Sequence, residues 1–248
     1  MSKCLKIICC YFGKRGGHHN TPTNIFEFVK LMIDNELKID NGFDTDVLFI
    51  INECGETECK NYLLNLNGTE TKNGELIVET RHNQKGSFGA YYDMFLKYMN
   101  NYSYFFFCED DVLIYKENYI KEFIEYCDSD ESIGFVSLAP IHDGSAYPVH
   151  SGGGCGLTST EKFLKANPIA EMSNFISDLR NNYAINATYG KLTDFEVEFT
   201  NKFISRGLKL NNHPKYSPLC LNYSAHYGQD KNKKPEYLDL EFIYQVGF

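Results

Sequence analysis

The sequence has no tryptophan, although 18 Tyr and 19 Phe raise its aromatic share to 15%. With its many Asn, Lys, Ile and Tyr residues, that skew fits an AT-rich genome as well as it fits any function. No run of about 18 or more apolar residues occurs, which excludes a transmembrane helix. The start, Met1-Ser2-Lys3-Cys4-Leu5-Lys6-Ile7, lacks the long apolar core and small-residue cleavage site of a signal peptide, so it reads as a first buried strand. No dense Lys/Arg stripe is present either. The 24 basic and 33 acidic residues give a net charge of −9, and an acidic surface repels nucleic acid. The sole basic cluster, Lys231-Asn232-Lys233-Lys234, reads as a solvated loop. Zinc-site spacing is missing, because Cys54 and Cys59 have no matching pair. The nine cysteines are odd in number and scattered, with Cys9, Cys10 and Cys108 inside apolar runs. Reduced thiols in a cytoplasmic protein are expected, and in that compartment the sequons at Asn67, Asn101, Asn186 and Asn222 carry no meaning. Internal repeats and low-complexity segments are absent.

What is present is ordinary globular chemistry: 43% hydrophobic and 23% charged residues over 248 positions, enough for one large α/β domain or two small ones. Leu5 to Phe12 reads as a strand, followed by the loop Gly13-Lys14-Arg15-Gly16-Gly17. A helix from Ile25 to about Leu37 comes next, with Phe26, Val29, Ile33 and Leu37 at helical spacing. Asp46 to Ile51 is a second buried strand, Glu56 to Asn65 a polar helix or loop, and Glu75 to Thr80 a third strand. A helix from about Ala90 to Met99 precedes Tyr104 to Cys108, the most apolar run of the chain. The helix Asn118 to Cys127 and the strand Ile133 to Leu138 continue the alternation, which predicts a mostly parallel sheet with helices on both faces. Beyond Pro140 the character changes. Ser151 to Gly156 is a glycine-rich loop, Thr160 to Ala166 a short helix, and Thr193 to Ser205 a further helix capped at Gly207. The expected organisation is one domain over 1–248, with a nucleotide-sugar half at 1–140 and a smaller second half at 141–248 packed on it.

Ligands of open α/β sheets sit beyond the carboxyl ends of the strands. Three candidate places follow: Tyr11 and Phe12 with the loop after them, Asn52-Glu53, and Glu109-Asp110-Asp111. The third is the most informative. Adjacent carboxylates directly after a buried strand repel one another and lose hydration, and a hard divalent cation with oxygen ligands offsets both costs. A solvated strand edge or a helix cap is the plainer reading of such a run.

The segment Tyr104-Phe105-Phe106-Phe107-Cys108-Glu109-Asp110-Asp111-Val112 resembles the strand and acidic "DxD" motif of GT-A glycosyltransferases, particularly the large inverting family-2-like group. Arg81-His82-Asn83-Gln84-Lys85-Gly86-Ser87-Phe88-Gly89-Ala90 resembles the "N-x-G-x-x-x-A" stretch those enzymes place before the acidic motif. Ser151 to Leu157 resembles their small-residue loop ahead of the acceptor-side helix. Thr193-Asp194-Phe195-Glu196-Val197-Glu198, with the later Gly207-Leu208-Lys209-Leu210, resembles their "ED" helix carrying the catalytic base. The likeness runs from Leu5 to about His226. It departs from the family pattern at the first strand's end, at Asn52-Glu53 and at the "ED" pair.

The resemblance implies a GT-A fold and transfer of a sugar from a nucleotide donor such as a UDP-sugar to a hydroxyl acceptor, a glycan or glycoprotein, with Mn²⁺ or Mg²⁺. It implies Asp111 as a direct metal ligand, assisted by Glu109 or Asp110, and a late His, here His226, completing the metal shell or touching the diphosphate. Tyr11, Phe12, Asn52, Glu53, Arg81, Asn83, Gly86, Glu109 and Asp110 are the donor-side candidates. Gly153, Gly154 and Cys155 are the acceptor-side ones. An inverting enzyme needs one carboxylate as general base, and Asp194 and Glu196 are the candidates. Asp194 is favoused by its place at the expected helix start, where the backbone dipole favours a carboxylate. Retention of configuration stays open. Two other readings stand beside this one: a sugar nucleotidyltransferase, for which Gly13-Lys14-Arg15-Gly16-Gly17 is a faint signature, and a non-catalytic nucleotide- or sugar-binding module.

Overall fold

Three apolar runs make the centre of the fold. The structure, a computed structural model, describes residues 2–10, 25–52, 57–83, 86–110, 112–138, 141–142, 149–172, 189–216 and 243–245, with the backbone alone at 25–29, 31, 57, 113, 142, 189–194 and 243–245. Strands β1 (Cys4–Cys10) and β2 (Thr45–Asn52) are buried at every position, and Phe105 to Cys108 of β4 (Tyr104–Glu109) are buried as well. Strands covered on both faces read as continuous apolar runs rather than alternating ones, which is why these three are plain in the sequence. Between them lie α1 (Ile25–Lys38), α2 (Thr57–Leu64), β3 (Leu76–Arg81) and α3 (Gly86–Tyr98).

After β4 come β5 (Val112–Ile114), α4 (Tyr119–Asp128), β6 (Ile133–Ser137), β7 (Ile141–His142), β8 (His150–Ser151), a 3₁₀ turn (Gly152–Gly154), β9 (Gly156–Ser159), α5 (Thr160–Ala166), α6 (Tyr189–Ser205), β10 (Lys209–Asn212) and β11 (Ile243–Gln245). Seven strands form one sheet in the order β10-β6-β9-β4-β1-β2-β3. The pairs β1–β2, β2–β3, β1–β4 and β6–β10 are parallel, and β9 runs antiparallel between β4 and β6. The mostly parallel α/β sheet expected from the sequence is therefore present, with one reversed strand in its middle. The order steps outward from β1 through β2 to β3 and then returns to the other side of β1 with β4. That reversal opens a crevice between the carboxyl ends of β1 and β4, the usual ligand position in such sheets.

The two faces of the sheet carry separate cores. On one, Phe106 meets Tyr119 and Phe123 of α4. On the other, Phe195, Phe199 and Phe203 of α6, spaced at i, i+4 and i+8, bury against Phe88, Phe107 and Phe163. Burying each such ring stabilises the fold by roughly 1.5–3 kcal/mol. Lys6 interrupts the apolar pattern of β1. Its Nζ lies 2.5 Å from Glu36 Oε1 with both side chains fully buried, and 5.0 Å from the Tyr119 ring centre. A carboxylate and an aromatic face together offset the desolvation that a lone buried ammonium suffers.

Several elements differ from the sequence expectation, among them the short strands β5, β7, β8 and β11. Helix α3 begins at Gly86 rather than Ala90, and α6 at Tyr189 rather than Thr193. The glycine-rich segment is a 3₁₀ turn leading into β9, whose four residues Gly156 to Ser159 hydrogen-bond to β4 and β6. Strand β10 is mostly polar and lies at the sheet edge beside β6. Among the described residues, no helix is long and apolar enough to cross a membrane.

Candidate active site

Strand register sets the first part of the site. Cys9 of β1 lies opposite Glu109 of β4, and Asn52 of β2 lies opposite Arg81 of β3, all at carboxyl ends. The chain then turns into α3, whose second residue is Ser87. Its hydroxyl donates to Glu109 Oε1 at 2.6 Å, so the carboxylate that ends β4 meets the positive end of α3. Asp110 follows and is buried, with 2% of its surface exposed. Burial first, and then the negative charges of Asp110 and Glu109, push the Cys9 thiol up to about 12.

The second part comes from beyond residue 140. Gly153 and Gly154 adopt φ values of 60° and 61°, in the left-handed region where a Cβ is strained. Space is short there as well. A Cβ on Gly154 would stand 2.6 Å from the Phe88 ring, and one on Gly153 would stand 3.3 Å from Glu109 Oε2. Glycine thus lets the turn lie against the β4 carboxylate. From the other side α6 delivers Glu196, whose Oε1 accepts the Gly153 N–H at 3.0 Å and whose Oε2 lies 3.6 Å from His150 Nε2. One turn further along α6, Thr200 Oγ1 accepts the Ser151 N–H at 3.1 Å.

Glu109 and Glu196 therefore both border Gly153. Desolvation is the main reason that the Glu196 carboxyl is raised to about 7; the Gly153 N–H opposes this, and the Glu109 charge adds to it. A carboxyl group that exchanges its proton near neutrality is suited to proton transfer.

A separate polar network closes the ends of β2 and β3. Arg81 donates to Asp93 Oδ2 from Nε at 3.0 Å and from one terminal nitrogen at 2.8 Å, and the other terminal nitrogen donates to Asn52 Oδ1 at 2.6 Å. Asn52 Nδ2 in turn donates to Asn83 Oδ1 at 2.9 Å. The Cys9 thiol feels the charges of both groups, Arg81 drawing it down and Glu109 up.

Of the residues expected from the sequence, the structure brings Glu109, Gly153 and Glu196 together and joins Asn52, Arg81 and Asn83 in the second network. Gly154 packs on Phe88, and Cys155 is buried with its thiol directed to the Gly153 carbonyl at 3.8 Å. Gly86 opens α3 with φ 56°. Asp194 is the sixth residue of α6. The dipole argument made for it as a helix-start residue does not hold, since that effect fades within the first turn, and its side chain lies outside the described residues. Tyr11, Phe12, Glu53, Asp111 and His226 also lie outside them. Among the described residues no group of three or more His, Cys, Asp or Glu is arranged to hold a metal ion. The donor set that is described, Glu109 and Asp110, has the hard carboxylate oxygens that Mg²⁺ and Mn²⁺ take.

Ser87, His150 and Thr200 are site residues that sequence reasoning missed. Ser87 lay within the quoted glycine stretch, and its position one residue after the helix-opening glycine was the available signal. His150, a lone histidine, and Thr200, a mid-helix threonine, carried none.

The chain is similar to the crystal structure of S. aureus TarS, with a TM-score of 0.50 and 12% sequence identity. That likeness covers 97% of this chain and 42% of TarS, so the chain spans less than half the length of that protein. The shared feature is the fold, a Rossmann-like α/β architecture consistent with GT-A. No protein-family model and no curated protein matches the sequence.

Proposed function

We propose that the chain is a glycosyltransferase that moves a sugar from a nucleoside-diphosphate sugar to a hydroxyl acceptor on a glycan or glycoprotein, with inversion. The observation that carries the reading is the convergence of Glu109 and Glu196 on Gly153, at the carboxyl end of β4. The fold shared with TarS, a glycosyltransferase, supports it, as does the resemblance of the acidic run to the "DxD" motif.

In this reading the donor diphosphate lies beside Glu109 and Asp110, and the nucleoside extends toward the Asn52–Arg81–Asn83 network. Glu109, Asp110 and Asp111 are the residues that would hold Mn²⁺ or Mg²⁺, with His226 a further ligand; a bound cation supplies neutralisation of charge on the departing diphosphate. Glu196 takes the proton of the acceptor hydroxyl as that oxygen attacks the anomeric carbon. The anomeric C–O bond to the diphosphate breaks, and the diphosphate leaves with the electron pair. Glu196 is preferred to Asp194 because its carboxylate is partly desolvated and its pKa of about 7 matches the working pH of a general base.

The test is product analysis after incubation with UDP-glucose, UDP-N-acetylglucosamine or GDP-mannose and Mn²⁺. Release of UDP or GDP supports transfer chemistry. Formation of pyrophosphate from a nucleoside triphosphate and a sugar phosphate would instead identify a nucleotidyltransferase.

A further inference from the structure

Tyr91 of α3 has no part in the chemistry above, yet its side chain is the wrong one for a purely structural place. None of its surface is exposed, and among the described residues its hydroxyl has no hydrogen-bond partner. A buried polar group left unpaired destabilises a fold, whereas an apolar group of the same shape does not. Phe would fill the same space, because the ring packs on Phe107 at 4.9 Å and edge-on to Phe88 at 5.8 Å. The hydroxyl therefore weakens the free protein, and such a group in a native core calls for a reason.

The register of α3 on β4 gives one. Ser87 bonds to Glu109, Tyr91 packs on Phe107 and Phe95 packs on Phe105 at 4.7 Å. Each step of four residues along the helix, about 6 Å, thus matches a step of two along the strand, about 6.6 Å. Ser87 and Tyr91 share one helix face, and Phe107 and Glu109 share one strand face. Tyr91 lies one step beneath the acidic end of β4. Helical side chains lean toward the amino end of their helix, and the amino end of α3 is the one at Glu109. The phenol is thereby aimed at the site from below.

Burial raises the phenol well above its ordinary pKa, and the charges of Cys155, Glu109, Cys9 and Cys108 add to the rise. The hydroxyl keeps its proton and is a donor. Thiols are weak acceptors, and these three are directed elsewhere: Cys155 to the Gly153 carbonyl, Cys108 to the Val112 carbonyl and Cys9 to the Ser87 hydroxyl. Glu109 is the strong acceptor of the group, and it is half-buried, so its carboxylate reaches both the floor of the site and its open side. A phenol with no exposed surface cannot touch a ligand itself. Its ring is fixed between Phe88 and Phe107, so the carboxylate is the partner free to turn.

We infer that Tyr91 is a positioning residue of the nucleotide site, whose hydroxyl donates to the Glu109 carboxylate when a nucleoside diphosphate is bound and stays unpartnered when the site is empty. This inference rests on the glycosyl-transfer reading. A bond made in one state alone lends its whole strength to that state, so the hydroxyl favours binding at the expense of the free fold.

Three Tyr→Phe variants test it. Tyr91→Phe is compared with Tyr119→Phe, which removes the other unpartnered tyrosine hydroxyl, on the opposite face of the sheet against Phe106. It is also compared with Tyr92→Phe, which removes a hydroxyl that donates to Asn167 Oδ1 at 2.6 Å. Thermal unfolding without nucleotide and calorimetric titration with UDP and GDP in Mn²⁺ are measured for each and for wild type. Tyr91→Phe is expected to raise Tm by about 2 °C or more and to weaken the nucleoside diphosphate that wild type binds by about tenfold. Tyr119→Phe is expected to raise Tm with the affinity unchanged, and Tyr92→Phe to lower Tm with the affinity unchanged. A Tyr91→Phe protein with wild-type affinity overturns the inference, and so does one with a lowered Tm, which would show the hydroxyl already paired in the free protein. An equal loss of affinity in either control also overturns it. In each of these cases the transferase reading stands. Wild-type protein that binds neither UDP nor GDP overturns both.

Discussion

Ser87 and Glu109 meet at 2.6 Å, the hydroxyl donating to Oε1, although 22 positions separate them in the chain. The contact joins the first turn of α3 to the last residue of β4 and sets the direction in which the first acid of the acidic run points. Glu109 Oε2 is turned toward Gly153, so each oxygen of this carboxylate has a defined neighbour. Hydrogen bonds to charged groups contribute about 1.5–3 kcal/mol. Ser87→Ala is therefore expected to lower the unfolding free energy by about that amount and, with the carboxylate no longer directed, to weaken nucleotide binding, as measured by urea titration and by calorimetric titration with UDP or GDP and Mn²⁺.

Gly154→Ala meets two obstacles, a φ of 61° and a Phe88 ring atom 2.6 Å from the new Cβ. Left-handed backbone costs about 1–2 kcal/mol and overpacking about 1–3 kcal/mol, so a loss of about 2–5 kcal/mol is expected. Gly68→Ala is the matched control, because Gly68 has φ 79° but nothing within 4 Å of the added Cβ. Denaturant titration of the two variants is expected to show the smaller loss, about 1–2 kcal/mol, at Gly68.

Glu196 links activity and stability to pH in opposite senses. A base must be deprotonated, so kcat/KM is expected to climb about tenfold per pH unit below the pKa of about 7 and to level off above it. For stability, the folded carboxyl binds its proton more tightly than the unfolded one, whose pKa is 4.5. The folded state therefore holds more protons between those values, and its stability falls as pH rises through that window. Each pKa unit corresponds to about 1.36 kcal/mol, so the loss reaches about 3 kcal/mol above pH 7. Glu196→Gln is expected to be inactive and to lack that loss, which urea titrations at pH 4.5 and 8 measure.

His213 acts from the other direction. Its ring stacks on Phe123 at 4.5 Å, and burial lowers its pKa from 6.5 to about 4, with the nearby Glu122 opposing the shift. The unfolded state takes up a proton first on acidification, so stability falls between about pH 6.5 and 4, by about 3 kcal/mol in all. His213→Phe keeps the stacking and removes the titration. Its Tm is expected to fall less than that of wild type between pH 7 and 4.5.

The sequence made the central sheet legible where strands are buried on both faces, since Cys4 to Cys10, Thr45 to Asn52 and Phe105 to Cys108 need no alternation to be recognised. It hid β9, whose four residues begin with glycine and whose ladder partners, Phe107 and Ser137, are distant in the chain. It hid β10 because Lys209, Asn211 and Asn212 leave Leu210 as the one apolar residue of a strand at the sheet edge. The start of α3 was missed because Gly86 and Ser87 are weak helix formers, and tertiary contact with Glu109 favours them there. Within the site, the acidic run stood out because like charges after an apolar strand demand an explanation. Glu196 stands in the stretch that resembles the "ED" helix, where the sequence favoured Asp194. The contacts of Ser87 and His150 span 22 and 46 positions, which no local pattern encodes.

The central claim, a nucleotide-sugar site at the acidic end of β4, is tested most directly by a thermal-shift screen of UDP, GDP and CMP with and without Mn²⁺. Wild type is compared with Glu109→Gln, Asp110→Asn and Asp111→Asn. A ligand at a hundredfold excess over its dissociation constant stabilises the folded state by about 2.7 kcal/mol, equivalent to roughly 5–11 °C for a chain of this size. A shift of that order with one nucleoside diphosphate, dependent on Mn²⁺ and lost in the three variants, is the predicted result. The absence of any shift with all three nucleotides, or a shift that is the same in wild type and variants, would contradict the account and leave the acidic run without a nucleotide to bind.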